Sequence, residues 1–136
     1  MSAATKSIPA AAHCAPLVFI VDDEPVSAEI IAELLQLEGY RTRVFHDSRV
    51  AAEALSNSPV KPDVLLADFK MPGLNGLQLI ARGKSEIRGL KTVLMSGLAA
   101  DHALAEKGFC PDQWVTKPFP IVTLLMSVRT ALASTG

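Results

Sequence analysis

Cysteine is scarce in this 136-residue chain. Cys14 and Cys110 are its only two, and they have neither the paired spacing of a zinc site nor the number a disulfide framework needs. They read as free thiols in a reducing compartment. Neither sign of charge is in excess: 13 Lys and Arg face 14 Asp and Glu, for a net charge of −1. No broad field therefore favours nucleic acid or an anionic lipid surface. Long apolar runs are missing too, since none approaches the ~20 residues a membrane span requires. The opening "MSAATKSIPAAAHCAP" contains one lysine but also Pro9, His13 and Pro16, and "LVFIV" beyond it runs into acid without a small-residue cleavage site. A cytoplasmic protein is expected, with residues 1–15 as a flexible tail and one domain over 16–136, and with no nucleic-acid or membrane partner.

What is present is apolar residues, at 49% of the chain with a mean hydropathy of +0.29, enough for one well-packed core. "LVFIV" (17–21) is apolar at every position and predicts a fully buried strand, and "DVLLA" (63–67) predicts a second that ends at Asp68. "RTRVF" (41–45) alternates as an edge strand does. Further strands are predicted over Thr92–Met95 and within "QWVTKPF" (113–119). Between them lie helical patterns. Pro25 opens the first, with Val26, Ile30, Ile31, Leu34, Leu35 and Leu37 mostly on one stripe and Gly39 as its stop. Ser48 is the expected N-cap of the second. The third, "LQLIARGKSEI", carries Gly83 inside it. The fourth, "ADHALAEKG" (100–108), is weakly apolar, and the last places Ile121, Leu124, Leu125, Val128 and Leu132 in register. Five βα units without a repeat or a linker predict a parallel sheet covered on both faces.

In such a sheet ligands bind at the carboxyl ends of the strands. There the first strand delivers Asp22 and Asp23, the third Asp68, the fourth Ser96 and the fifth Lys117. Three clustered carboxylates repel one another, and a divalent cation reverses that cost. Oxygen donors without His or Cys select a hard ion such as Mg²⁺, which commonly holds phosphoryl oxygens. Lys117 and the Ser96 hydroxyl can meet further phosphoryl oxygens, and an aspartate can be the nucleophile of an acyl phosphate.

The stretches "VDDEP" (21–25), "DFKMPGLNG" (68–76), "LMSG" (94–97) and "WVTKPF" (114–119) together resemble the receiver domain of two-component response regulators. The likeness covers residues 16–133. It implies a doubly wound (βα)5, flavodoxin-like α/β sandwich with strand order 2-1-3-4-5. It also implies that Asp68 is the phospho-acceptor, that Asp22, Asp23, Asp68 and the Lys70 backbone carbonyl hold Mg²⁺, and that Ser96 and Trp114 form the switch. Lys117 would pair with the phosphoryl group, next to a cis Lys117–Pro118 bond. The implied donor is a sensor histidine kinase or histidine phosphotransfer protein. The implied output is a protein target or a phosphorylation-dependent dimer, met through the fourth helix, fifth strand and fifth helix. Trp114 is bulkier than the family's usual Tyr or Phe. By the same likeness Lys70 and Leu98 would flank the route of attacking water, and an apolar Leu98 with a long Lys70 predicts a comparatively long-lived phosphoryl group.

Two rivals differ in class. A haloacid-dehalogenase-like Mg²⁺ phosphatase also uses an aspartate, but its D-x-D pattern is absent, because Asp22 is followed by Asp23 and Glu24. A receiver-like module that only binds would not need the complete acceptor set seen here. The chain is accordingly read as a regulator rather than a turnover enzyme.

Overall fold

Leu17–Val21 forms β1, and all five of its side chains are buried because the strand is covered on both faces. The structure, a computed structural model, describes residues 15–97 and 111–134. After β1 come α1 (Pro25–Leu37), β2 (Arg41–Phe45), α2 (Ser48–Asn57), β3 (Val64–Asp68) and α3 (Gly76–Glu86). β4 (Lys91–Ser96), β5 (Gln113–Thr116) and α4 (Ile121–Ala133) follow. All strand pairings are parallel, and the sheet order is β2-β1-β3-β4-β5, the doubly wound order expected. The helix predicted over "ADHALAEKG" lies outside the described residues, as do Leu98, Cys14, Cys110 and the predicted tail up to residue 14. Ala15, assigned to that tail, is tied to β2: Arg41 Nε donates to its carbonyl at 2.9 Å.

Alternation along the strands divides the interior into two layers. Phe19, Val21, Leu65, Ala67 and Leu94 meet Ala51 and Leu55 of α2 and Leu77 and Ile80 of α3 on one side. Val18, Ile20, Val64, Leu66 and Met95 meet Ala28, Ile31 and Leu35 of α1 and Leu124 and Val128 of α4 on the other. The sheet is rigid because both faces are filled, and this rigidity fixes what stands at its edge.

Two local expectations are corrected. The side of α1 that meets the sheet is Ala28, Ile31, Ala32 and Leu35, whereas Val26, Ile30 and Leu37 are exposed. The alanines let the helix lie close to the strands, so small size rather than greatest hydrophobicity sets its rotation. Ser48 is not the N-cap of α2. Asp47 is, with Oδ1 accepting from Arg49 N–H at 2.8 Å, and Ser48 is the first helical residue.

At the amino-terminal edge of the sheet, Asp112 joins β4 to β5. Its carboxylate accepts from the Thr92 backbone N–H at 2.8 Å, from the Thr92 hydroxyl at 3.0 Å and from Lys84 Nζ at 3.0 Å. Burial pushes this carboxyl up, but the Lys84 and Thr92 donors outweigh it and hold it below the ordinary range.

Candidate functional site

β1, β3, β4 and β5 all end at the same edge, so the residues that close them converge. Asp22 directly follows β1, and its backbone N–H donates to the Phe45 carbonyl at 3.1 Å. Its side chain turns back to accept from Glu24 N–H at 3.0 Å, a local bond short aspartate side chains favour. Asp22 is buried and Asp23 exposed. Asp68 is the last residue of β3, held in register opposite Met95, and Phe69 N–H donates to the Met95 carbonyl at 2.8 Å. One carboxylate oxygen each from Asp22, Asp23 and Asp68 lie within 4.8 Å of one another.

Lys117 reaches this cluster from beyond β5. Its Nζ donates to Asp68 Oδ1 at 2.7 Å, and its backbone N–H donates to the Ser96 carbonyl at 2.8 Å. The Lys117–Pro118 bond is cis. Ser96 is buried at the end of β4, opposite Thr116. Trp114 stands opposite Leu94 and packs, half-buried, against the α2/α3 layer. Strand alternation puts Ser96, Leu94 and Trp114 on one side of the sheet. Lys70 follows Asp68 in an exposed loop. The structure thus brings together Asp22, Asp23, Asp68, Ser96 and Lys117, while Leu98 lies outside the described residues.

Electrostatics agree with the geometry. Burial pushes the Asp22 carboxyl above its ordinary value, opposed by the Glu24 N–H and reinforced by Asp68. Burial likewise raises Asp68, against the hydrogen bond and charge of Lys117, with Asp23 adding to the rise. One ammonium does not neutralise the cluster. A hard divalent cation fits these donors, because three carboxylate oxygens converge, all hard, and two of the groups carry a raised cost of ionisation.

Gly76, Gln78 and His46 were not singled out from sequence. Gly76 opens α3 against the site: a Cβ there would stand 2.6 Å from the Asp68 carbonyl oxygen and 2.6 Å from Leu94 Cδ1. Its signal is a glycine directly after a capping asparagine, where a side chain costs a helix nothing. Asn75 and Gln78 form a capping box that starts α3 there. His46 Nδ1 lies 3.3 Å from the Asp22 carbonyl oxygen, and Nε2 lies 3.6 Å from Glu29. No local pattern announces that contact.

A family model described as "Response regulator receiver domain" matches residues 18–129. Among curated proteins, the probable transcriptional regulatory protein TcrX of Mycobacterium tuberculosis is 33% identical over 120 residues, covering 88% of this chain and 50% of that protein. The DNA-binding response regulator MtrA of Mycolicibacterium smegmatis is 32% identical over 118 residues, covering 85% and 50%. This chain therefore spans about half the length of these two relatives. Among solved structures, the signal receiver domain of a signal transduction histidine kinase from Syntrophus aciditrophicus superposes with a TM-score of 0.79 at 27% identity, covering 89% of this chain and 92% of that one. A CheY-like receiver domain protein from Methanospirillum hungatei gives a TM-score of 0.79 at 21% identity over 88% and 94%, which speaks for the fold.

Proposed function

This chain belongs to the response regulator receiver-domain family, and from that membership we propose that Asp68 is the residue that accepts its phosphoryl group. Receiver domains are signalling regulators, and those of response regulators are phosphorylated by histidine kinases. The observation that carries the assignment to Asp68 is its position. It is the acid at the centre of the edge, 2.7 Å from Lys117 and within 4.8 Å of two further carboxylates.

In the proposed step an Asp68 carboxylate oxygen attacks the phosphorus of a phosphohistidine. The phosphorus–nitrogen bond breaks, the imidazole leaves with the electron pair and takes a proton, and an acyl phosphate remains. Lys117 holds Asp68 in its ionised, nucleophilic form against burial, then pairs with the phosphoryl oxygen that replaces the carboxylate charge. Ser96 donates its hydroxyl to another phosphoryl oxygen. Asp22, Asp23, Asp68 and the Lys70 carbonyl would hold Mg²⁺, which when bound neutralises the cluster and the incoming phosphoryl charge. Once Ser96 turns toward the phosphoryl group, Trp114, on the same side of the sheet, gains room to move. The face around β5 and α4 then presents a different surface to a protein target or a second copy of the chain. Residues 16–136 are the proposed receiver unit.

The test is mass spectrometry after incubation with phosphoramidate and Mg²⁺. A gain of one phosphoryl group mapping to Asp68, absent in Asp68→Asn, is expected. Steady turnover of a generic phosphate ester would instead indicate a phosphatase.

A further inference from the structure

Ser48 is buried, yet its polar group is turned away from its own helix. Its hydroxyl donates to the Pro72 carbonyl at 2.9 Å and accepts from Leu74 N–H at 3.0 Å. These two partners flank Gly73, whose φ of +84° is a conformation side chains rarely adopt. A Cβ on Gly73 would lie 3.1 Å from Ser48 Oγ, so hydroxyl and glycine are fitted to each other. One oxygen thereby satisfies a carbonyl and an amide on either side of the sharpest bend in the loop that joins Asp68 to α3.

The same loop is fastened at its ends. Gly76 N–H donates to the Phe69 carbonyl at 2.9 Å, closing it at its base, and Gly76 packs on the Asp68 carbonyl. Between base and bend lies Lys70. With both ends fixed, the backbone between them has few ways to lie, and the direction of the Lys70 carbonyl is among the things so restricted.

We propose that Ser48 is a positioning residue for the metal and acceptor site, its hydroxyl acting as a clasp that holds the 69–75 loop so that the Lys70 carbonyl is presented toward the carboxylate cluster. It touches none of the reacting atoms and acts through the loop. The clasp rests on the reading of Asp68 and its neighbours as a Mg²⁺ and phosphoryl site. Outer contacts that orient metal ligands typically change affinity 10–100-fold when removed, and a clasp acting through several bonds falls at about the lower figure.

The full chain is compared with Ser48→Ala. Three quantities are read: Mg²⁺ affinity by calorimetry, exchange of the Leu74 amide without metal, and the initial rate of Asp68 phosphorylation by phosphoramidate at saturating Mg²⁺. Faster Leu74 exchange, Mg²⁺ binding weakened about tenfold and a rate lowered at saturation are expected. A purely structural serine would lower the melting temperature and leave Mg²⁺ affinity and the saturated rate at wild-type values, which overturns the clasp. Should Ser48→Ala not fold, Ser48→Cys keeps the volume with a much weaker donor and acceptor, and the same expectations apply to it. If the wild-type chain binds Mg²⁺ but takes no phosphoryl group, the acceptor reading fails. The clasp is then decided by Mg²⁺ affinity alone, and equal affinity in the variant overturns it.

Discussion

Lys117 and Asp68 stand 49 positions apart in the chain, yet Nζ and Oδ1 meet at 2.7 Å. The contact exists because β3 and β5 flank β4 in one parallel register, so their carboxyl ends open onto the same edge. Burial and the neighbouring Asp23 push the Asp68 carboxyl up, and the Lys117 ammonium is the chief group opposing them. Lys117→Met is expected to slow acyl phosphate formation by roughly 10²-fold, the scale of losing one charge-stabilising donor. It should also lower the melting temperature, because the buried Asp68 carboxylate loses its counter-charge. Initial rates by phosphate-affinity gel, with parallel thermal melts, check both.

Asp22 gives two effects of opposite sign. Burial makes its ionisation costly in the metal-free protein, so Asp22→Asn, which can keep an acceptor for Glu24 N–H, raises the metal-free melting temperature at neutral pH. The same variant loses most of the stabilisation that Mg²⁺ gives the wild type, which amounts to about 2.7 kcal/mol at a hundredfold excess over the dissociation constant. Melts with and without Mg²⁺ read both changes in one experiment.

Gly76→Ala forces a methyl to within 2.6 Å of both the Asp68 carbonyl oxygen and Leu94 Cδ1. The backbone has no room to absorb this, so a loss of about 1–3 kcal/mol is expected from overpacking. Because the displaced atom belongs to Asp68, phosphorylation should fall as well. Denaturant unfolding and the phosphoramidate assay test the two parts separately.

Asp112 predicts a pH dependence. Its folded value lies below the ordinary 3.8, so the ionised form is favoured by folding. The stability it contributes is present above pH 3.8 and is lost as pH falls through the lower folded value. Asp112→Asn should be less stable than wild type at neutral pH, and the gap should close in acid below that folded value. A series of melts from neutral to strongly acidic buffer measures the convergence.

The edge was legible because its determinants are local. Residues 17–21 and 63–67 read as buried strands from their apolar residues, and an acid at the end of such a strand is positioned by the strand itself. The parallel sheet followed from βα alternation, whereas the order of its strands was implied by the resemblance of the motifs to the receiver family. What escaped was decided by distant partners. On α1, the apolar residues Val26, Ile30 and Leu37 outweigh Ala28 and Ala32 on any hydrophobicity scale, yet the alanines pack because the sheet admits a close helix. At α2, Asp47 and Ser48 are equally good caps by type. The choice between them depends on a loop that arrives 24 residues later and engages Ser48. For Gly76 the deciding partner is the Asp68 carbonyl beneath it, a contact outside its own helix.

The two interior layers draw on different parts of the chain. The layer beneath α2 and α3 draws on helices between Ser48 and Glu86, early in the emerging chain. The layer beneath α1 is only half covered by that helix and is completed by Leu124, Val128 and Ala131 of α4. A chain lacking α4 therefore bares Val93, Met95 and Val115 at the β4 and β5 end of that side, a surface suited to chaperones or to aggregation. Docking of α4 is thus what closes the second layer.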